Sequence, residues 1–269
     1  DIDDRTLRLS GARHPLLSGD VVAITLEIAD TDRVMLITGP NAGGKTVSLK
    51  TIGLLVMMAQ AGLYVPADEI KMPLFDGVYA DIGDQQSIEH SLSTFSSHIQ
   101  NLKNILNMVT GKSLVLIDEL GTSTDPEEGA ALAESILSYL CDRGVLTVST
   151  THHRRVAHYV QNQPMMINAS VDLDPKTLEP TYFITSGLPG RSYAMTIAER
   201  LGLSPDIIHN ARLRMSSDER DSEELLRELR EGRHMVEQLR KEAEVNLLDA
   251  RAKQADVDKQ LEDVESRKI

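Results

Sequence analysis

Aromatic side chains are nearly missing from this chain: Trp is absent, and Phe and Tyr bring the aromatic share of its 269 residues to only 3%. Proteins that hold single-stranded nucleic acid stack bases on such rings, so a base-stacking platform is disfavoured here. Positive charge is also in deficit. The net charge is −13 and the isoelectric point is near 5.0. No overall basic field exists to bind nucleic acid by phosphate neutralisation. The single cysteine, Cys141, excludes an internal disulfide framework and fits a reducing cytoplasm. No run of eighteen apolar residues and no signal-peptide pattern occurs, so no membrane span is expected. The chain opens on Asp1 and not on Met, as expected of a piece of a longer protein.

What is present supports a core. Hydrophobic residues make up 41% and charged residues 26%, enough for one domain of about 200 residues plus an appendage. "VVAITLEI" and "RVMLITG" read as early strands, the second ending at Gly39. Apolar residues then recur at helical spacing from Gly44 to about Ala61. A short strand is expected near 77–82 and a helix near 92–108. "SLVLIDE" reads as a buried parallel strand, "PEEGAALAESILSYLCDRG" as a capped helix and "VLTVSTTH" as another buried strand. Segments near 164–173 and 178–185 resemble a hairpin. A helical pair follows, broken at "LGLSPD", where Ser204 precedes Pro205. This alternation predicts an α/β domain with a largely parallel sheet over residues 1–215. From residue 216 to Ile269 there is no Pro and Gly232 is the only Gly. A 3–4 spacing there carries a weak heptad seam, which suits a long helix in a coiled coil or a solvated single helix.

"GPNAGGKT" fits G-x-x-x-x-G-K-[ST] at every fixed position, after an apolar strand and at the opening of a helix. Gly39, Pro40, Asn41, Ala42, Gly43, Gly44, Lys45 and Thr46 are therefore the candidate phosphate loop. Glycines let backbone N–H groups close around a polyanion, and the helix N-terminus adds its dipole. Lys45 supplies charge to the β- and γ-phosphates of ATP, and the Thr46 hydroxyl is placed for Mg²⁺. Asp118, ending the strand in "LVLIDE", is expected to hold Mg²⁺ through its water shell. Glu119 follows at once and suits the activation of an attacking water. His152, just past the next buried strand, is positioned to sense the γ-phosphate. His153 and His158 read as surface residues. His14, in "ARHPLL", reads equally as structural or as approaching the nucleotide.

One stretch does not fit this scheme by itself. "SIEHSLSTFSSH", residues 87 to 98, is rich in hydroxyls, yet Ile88, Leu92 and Phe95 follow helical spacing. From spacing alone the favoured reading is an ordinary helix capped by Ser91 or Ser93.

Taken together, "GPNAGGKTVSLKTIGLL", "DIGDQQSIEHSLSTFSSH", "DELGTSTDPEEGAALAESIL", "TTHHRRV" and "PTYFITSGLPGRSYAMTIAERLGL" closely resemble the MutS ATPases, within the ABC-type P-loop NTPases, and their second bacterial branch in particular. The resemblance covers about residues 1–215, and residues 216–269 resemble the helical segment that follows the ATPase domain. It implies Mg²⁺-dependent ATP hydrolysis by a homodimer joined through the ATPase domain. Ser93 and Thr94 match the signature segment that faces the nucleotide of the other subunit, and "TSTDPEE" matches a loop crossing the same interface. Asp125 and Pro126 depart from the mismatch-repair branch, as does Ala194, where those relatives tend to have Gly. His153 stands where an aromatic is more usual.

For the whole protein, the resemblance implies a cytoplasmic DNA-binding ATPase that restrains recombination by acting on branched DNA. The alternative is a ribosome-associated factor that splits stalled or collided ribosomes. Nuclease activity is not expected of this chain, because the family's small nuclease domain has no counterpart in it. A generic ABC or SMC-type motor head is disfavoured by "LSTFS" in place of a Gly-rich "LSGGQ" signature, and a purely structural dimerising module by Glu119.

Overall fold

The computed structural model describes residues 5–19, 21–40, 43–83, 91–122, 124–174, 177, 179–190 and 193–214, with residues 232, 235, 236 and 239 beyond them; of residues 91–94 it describes the backbone alone. The chain divides into two compact units, Asp1–Ile208 and His209–Ile269. In the second, the four described residues past 214 are helical and exposed. The heptad seam otherwise lies outside the described residues.

The first unit is built on a six-stranded sheet in the order β5-β6-β7-β3-β8-β9, comprising Gly77–Asp81, Ser113–Ile117, Leu146–Thr150, Val34–Thr38, Met166–Leu173 and Pro180–Ser186. The first five are mutually parallel and β9 runs antiparallel at the edge. β3, β6 and β7 are buried at all five positions. That explains their continuous apolar sequence, since a strand covered on both faces has no polar alternation. Their side chains still sort by period two. Met35, Ile37, Leu114 and Leu116 enter one core with Leu49, Ile52, Leu55 and Val56 of helix α1 (Lys45–Gln60). Val34, Leu36, Val115 and Ile117 enter the opposite core. There they meet α2 (Ser91–Met108), α3 (Pro126–Asp142) and α4 (Arg154–Gln161).

Three elements escape the sequence reading. A second, antiparallel sheet in the order β2-β1-β4 joins Ile24–Ile28, Leu7–Ala12 and Glu69–Lys71. β1 was hidden by the Ser-Gly pair in its middle, and β4 by its shortness and exposure. Their pairing is non-local, Leu9 matching both Leu26 and Ile70. Helix α4 is brief and begins with two arginines, but it buries Val156, Ala157 and Val160 as one stripe. The helical pair is α5 (Ala194–Arg200) and α6 (Pro205–Arg214), and the division between the units falls within α6.

Strand order fixes where chemistry can occur. α1 leaves β3 on one face, while α3 and α4 cover the other. β3 therefore sits where the chain changes sides. Ligands of open α/β sheets bind beyond the strand carboxyl ends at such a point. The carboxyl ends of β6, β7 and β3 lie side by side there.

Candidate functional site

The loop from β3 to α1 is shaped by glycines that nothing else can replace. Gly39 has φ 137° and Gly44, which precedes Lys45, has φ 91°. Both lie in the left-handed half of conformational space that side chains avoid. A Cβ on Gly44 would stand 2.5 Å from the Tyr182 ring, and one on Gly43 2.9 Å from Val171 Cγ2. The Gly43 N–H donates to the Pro40 carbonyl at 2.9 Å, and the Ser48 N–H to the Gly44 carbonyl at 2.9 Å, which starts the helix ladder. Asn41 and Ala42 lie outside the described residues.

Lys45 is only 3% exposed, and its Nζ donates to the Gly39 carbonyl at 2.8 Å. Burial pulls the ammonium below the usual lysine range, while Glu119 and Asp118 hold it up. Thr46 Oγ1 donates to Asp118 Oδ2 at 2.6 Å, across 72 residues of sequence. The other carboxylate oxygen accepts from Thr150 Oγ1 at 2.5 Å. Asp118 is thereby held between β3's helix and β7.

Thr150 also receives the Glu119 N–H at 2.8 Å. Glu119 has φ 50°, one of three non-glycine residues in the left-handed region among those described. Such a conformation costs about 1–3 kcal/mol and persists where neighbours over-determine it. Here they do. The Leu120 N–H donates to the Thr150 carbonyl at 2.9 Å, and Thr151 Oγ1 to the Leu120 carbonyl at 3.0 Å. The turn swings the Glu119 side chain out of the strand into the exposed space beyond the sheet. Thr150 and Thr151 escape the sequence reading because a threonine ending a buried strand looks like packing. Their signal is only their position opposite the acid pair.

His152 follows that strand and is exposed. Partial burial of its ring lowers the imidazole below its usual range, as does His153, and Lys45 adds to the effect while Glu119 opposes it. His152 lies just past the carboxyl end of β7, at the same end of the sheet as Lys45 and Glu119. His153 is not a plain surface residue. It is half-buried, its Nε2 lies 3.0 Å from the Gly121 carbonyl, and its ring sits 4.9 Å from that of His152. It steadies the turn after Glu119, a contact that no local pattern announces. His158 is exposed and meets the Asn162 side chain, and His14 accepts from the Leu16 N–H at 3.3 Å in a local turn.

Beyond the turn, Asp125 caps α3, accepting from the N–H groups of Glu127 and Glu128 at 2.9 and 3.2 Å, with Pro126 at the first helical position. The departure at these two positions thus has a local reason, the start of a helix. α2 begins at Ser91. The side chains of Ser93 and Thr94 lie outside the described residues.

The loop is also backed from behind. Gly190 donates its N–H to Thr38 Oγ1 and lies directly on the backbone of Thr38 and Gly39. Tyr193 Oη donates to Asp172 Oδ1 at 3.2 Å and fastens the following turn to β8.

Comparison with known proteins agrees with this geometry. The family model for MutS domain V matches residues 35–218. The chain is 47% identical to a protein named endonuclease MutS2 from Halothermothrix orenii over 267 residues, covering 99% of this chain and 34% of that protein. It is 47% identical to its namesake in Staphylococcus haemolyticus over 265 residues, covering 98% and 34%. In Shouchella clausii identity is 53% over 225 residues, covering 83% and 29%. The chain spans about a third of the length of these curated relatives. It belongs to the MutS family, and over the family's domain V it is homologous to the bacterial MutS2 proteins.

Proposed function

We propose that this chain is an ABC-type P-loop ATPase domain, residues 1–215, followed by a helical arm, residues 216–269, and that it hydrolyses ATP to ADP and phosphate with Mg²⁺. The observation that carries this reading is the 2.6 Å pairing of Thr46 Oγ1 with Asp118 Oδ2 at the mouth of the glycine loop. These are two hard oxygen donors, the kind Mg²⁺ prefers. No group of three or more His, Cys, Asp or Glu able to hold a metal exists among the described residues. Mg²⁺ needs none, since one or two carboxylates with phosphates and waters ordinarily suffice. When bound, Mg²⁺ supplies positive charge that neutralises the β- and γ-phosphate oxygens.

The chain's own residues do the rest. The backbone N–H groups of the loop from Gly39 to Thr46, other than Pro40, and the α1 N-terminus hold the phosphates. Lys45 exchanges its bond to the Gly39 carbonyl for phosphate oxygens. Glu119 accepts a proton from water as the water oxygen bonds to the γ-phosphorus. The bond from that phosphorus to the bridging oxygen breaks, and its electron pair leaves on ADP. His152, whose imidazole is held below its usual range mainly by partial burial, donates or accepts a hydrogen bond at the γ-phosphate side. Ser93 and Thr94, at the start of α2, complete the site of a second copy in a head-to-head dimer.

For the whole protein we favour action on branched DNA that restrains recombination. The name endonuclease carried by the relatives supports a nucleic-acid substrate over the splitting of ribosomes. A cytoplasmic setting accords with one buried cysteine, and among the described residues no helix is long and apolar enough to cross a membrane.

Binding of a fluorescent ATP analogue with and without Mg²⁺ tests the metal assignment. Asp118→Asn should keep metal-free affinity within about threefold, lose the Mg²⁺ enhancement, and slow hydrolysis by about 10²-fold or more. Undiminished Mg²⁺ enhancement in this variant would overturn the assignment.

A further inference from the structure

A second acid lies beside the first, and the scheme above gives it no work. Asp81 ends β5, next to β6, and is only 6% exposed. Its backbone carbonyl accepts the N–H of Asp118 at 2.9 Å. Its carboxylate faces away from the phosphate loop, toward α2. There Oδ2 lies 2.5 Å from His98 Nδ1, and Oδ1 accepts from Asn101 Nδ2 at 3.2 Å. The contact with His98 is a close polar approach short of hydrogen-bond geometry: neither Asp81 Oδ2 nor the buried His98 Nε2 has a hydrogen-bond partner among the described residues.

Asp81 is buried, His98 half-buried and Asn101 exposed, and a buried carboxylate is costly unless polar groups meet it. An apolar residue in place of Asp81 would avoid that penalty. What a polar clamp provides is a preferred position, since sliding α2 along β5 would take His98 and Asn101 away from the carboxylate they meet. Its location gives that position a use. His98 lies on α2 one turn past Thr94, and Asp81 is one backbone hydrogen bond from Asp118. The clamp therefore connects the acid of one nucleotide site with the helix whose first turn serves another.

We infer that the Asp81–His98–Asn101 clamp positions α2 for the partner's active site and couples it to Asp118 of its own. His98 is a positioning residue, acting in trans. The inference rests on the composite-site reading above. Misplacement of a catalytic group by about 1 Å can cost ~10²-fold in rate, so loss of the clamp shows as lost turnover while ATP binding to the same chain is spared.

The experiment is a subunit-mixing assay. His98→Ala alone should retain ATP affinity within about threefold but lose about tenfold or more in kcat. His98→Asn, which keeps a donor near the Nδ1 position, should recover most of that loss. Mixed with Lys45→Ala chains, His98→Ala chains should regain activity. Each mixed dimer then holds one site with an intact phosphate loop and an intact α2 from the partner. Random pairing gives roughly a quarter of the parental rate. If His98 acts only within its own chain, for instance on folding or on its own Asp118, the mixture stays as slow as its components and the inference fails. A parallel mixture of Ser93→Ala with Lys45→Ala separates the two levels. Recovery there without recovery for His98→Ala overturns the clamp alone. Silence in both overturns the composite site and the clamp with it. Equal thermal melting of His98→Ala and the parent, checked beforehand, or else the His98→Asn rescue, keeps unfolding from imitating either result.

Discussion

Replacing Glu119 by Gln is expected to slow ATP hydrolysis by about 10²–10³-fold, the usual contribution of a positioned general base, while ATP binding persists. Gln matches Glu in size and cannot take the proton. The backbone that aims it is unaffected, because Thr150 Oγ1 and the Thr150 carbonyl hold residues 119 and 120 through main-chain N–H groups. The left-handed conformation at φ 50° is thus imposed from outside the side chain. Glu119 also contributes negative charge near Lys45. Its removal takes away a repulsion toward phosphate, so ATP affinity should be unchanged or up to about threefold tighter. Single-turnover hydrolysis and equilibrium binding measure the two quantities separately. A kcat within threefold of the parent would remove Glu119 from the mechanism. In the full-length protein the same substitution, with ATP, gives a trapped state whose captured partner, branched DNA or ribosomes, distinguishes the two whole-protein roles.

The second large effect is expected where no motif points. Gly190→Ala should cost ~2–3 kcal/mol of stability through overpacking and weaken ATP binding about tenfold or more. A Cβ at this position would stand 2.5 Å from the Thr38 carbonyl carbon and equally close to Gly39 backbone atoms. None of these can swing aside as a flexible side chain would. Either the 187–190 turn lifts away, losing the Gly190 N–H bond to Thr38 Oγ1, or the phosphate loop shifts. In the first case the loop loses its backing, and in the second the Gly39 carbonyl, which holds Lys45 at 2.8 Å, is displaced. Gly83→Ala, with nothing within 4 Å of its Cβ, is the control and should change stability by less than about 0.5 kcal/mol. Thermal melting and ATP titration of both variants check this. Parental affinity in Gly190→Ala would mean that the turn does not support the loop.

These two predictions mark where the sequence speaks and where it is silent. The glycine loop proposed to hold phosphate is readable because eight consecutive residues carry it between a strand and a helix. The acid pair is readable because a buried strand ending in Asp118 and Glu119 has few other uses. The parallel sheet follows from strands apolar throughout their length. Support from a distance is another matter. Gly190 meets Thr38 across 152 residues, and Thr150 meets Asp118 across 32. Neither glycine nor threonine announces such a partner, because the cost of changing it arises only once the chain is folded. β1 and β4 are silent for a similar reason, each being too short or interrupted to show a period without its neighbour. His153 reads as surface until Gly121 is placed beside it.

The composite, Mg²⁺-dependent ATP site is tested most directly by phosphate release per chain as a function of chain concentration, with ATP and Mg²⁺ saturating. The useful range is the one in which sedimentation shows monomer converting to dimer. A site finished by Ser93 and Thr94 of a second copy predicts a specific activity near zero for the monomer, rising in step with the dimer and levelling off with it. No phosphate release at any concentration, or a specific activity that stays constant as monomers pair, would contradict it.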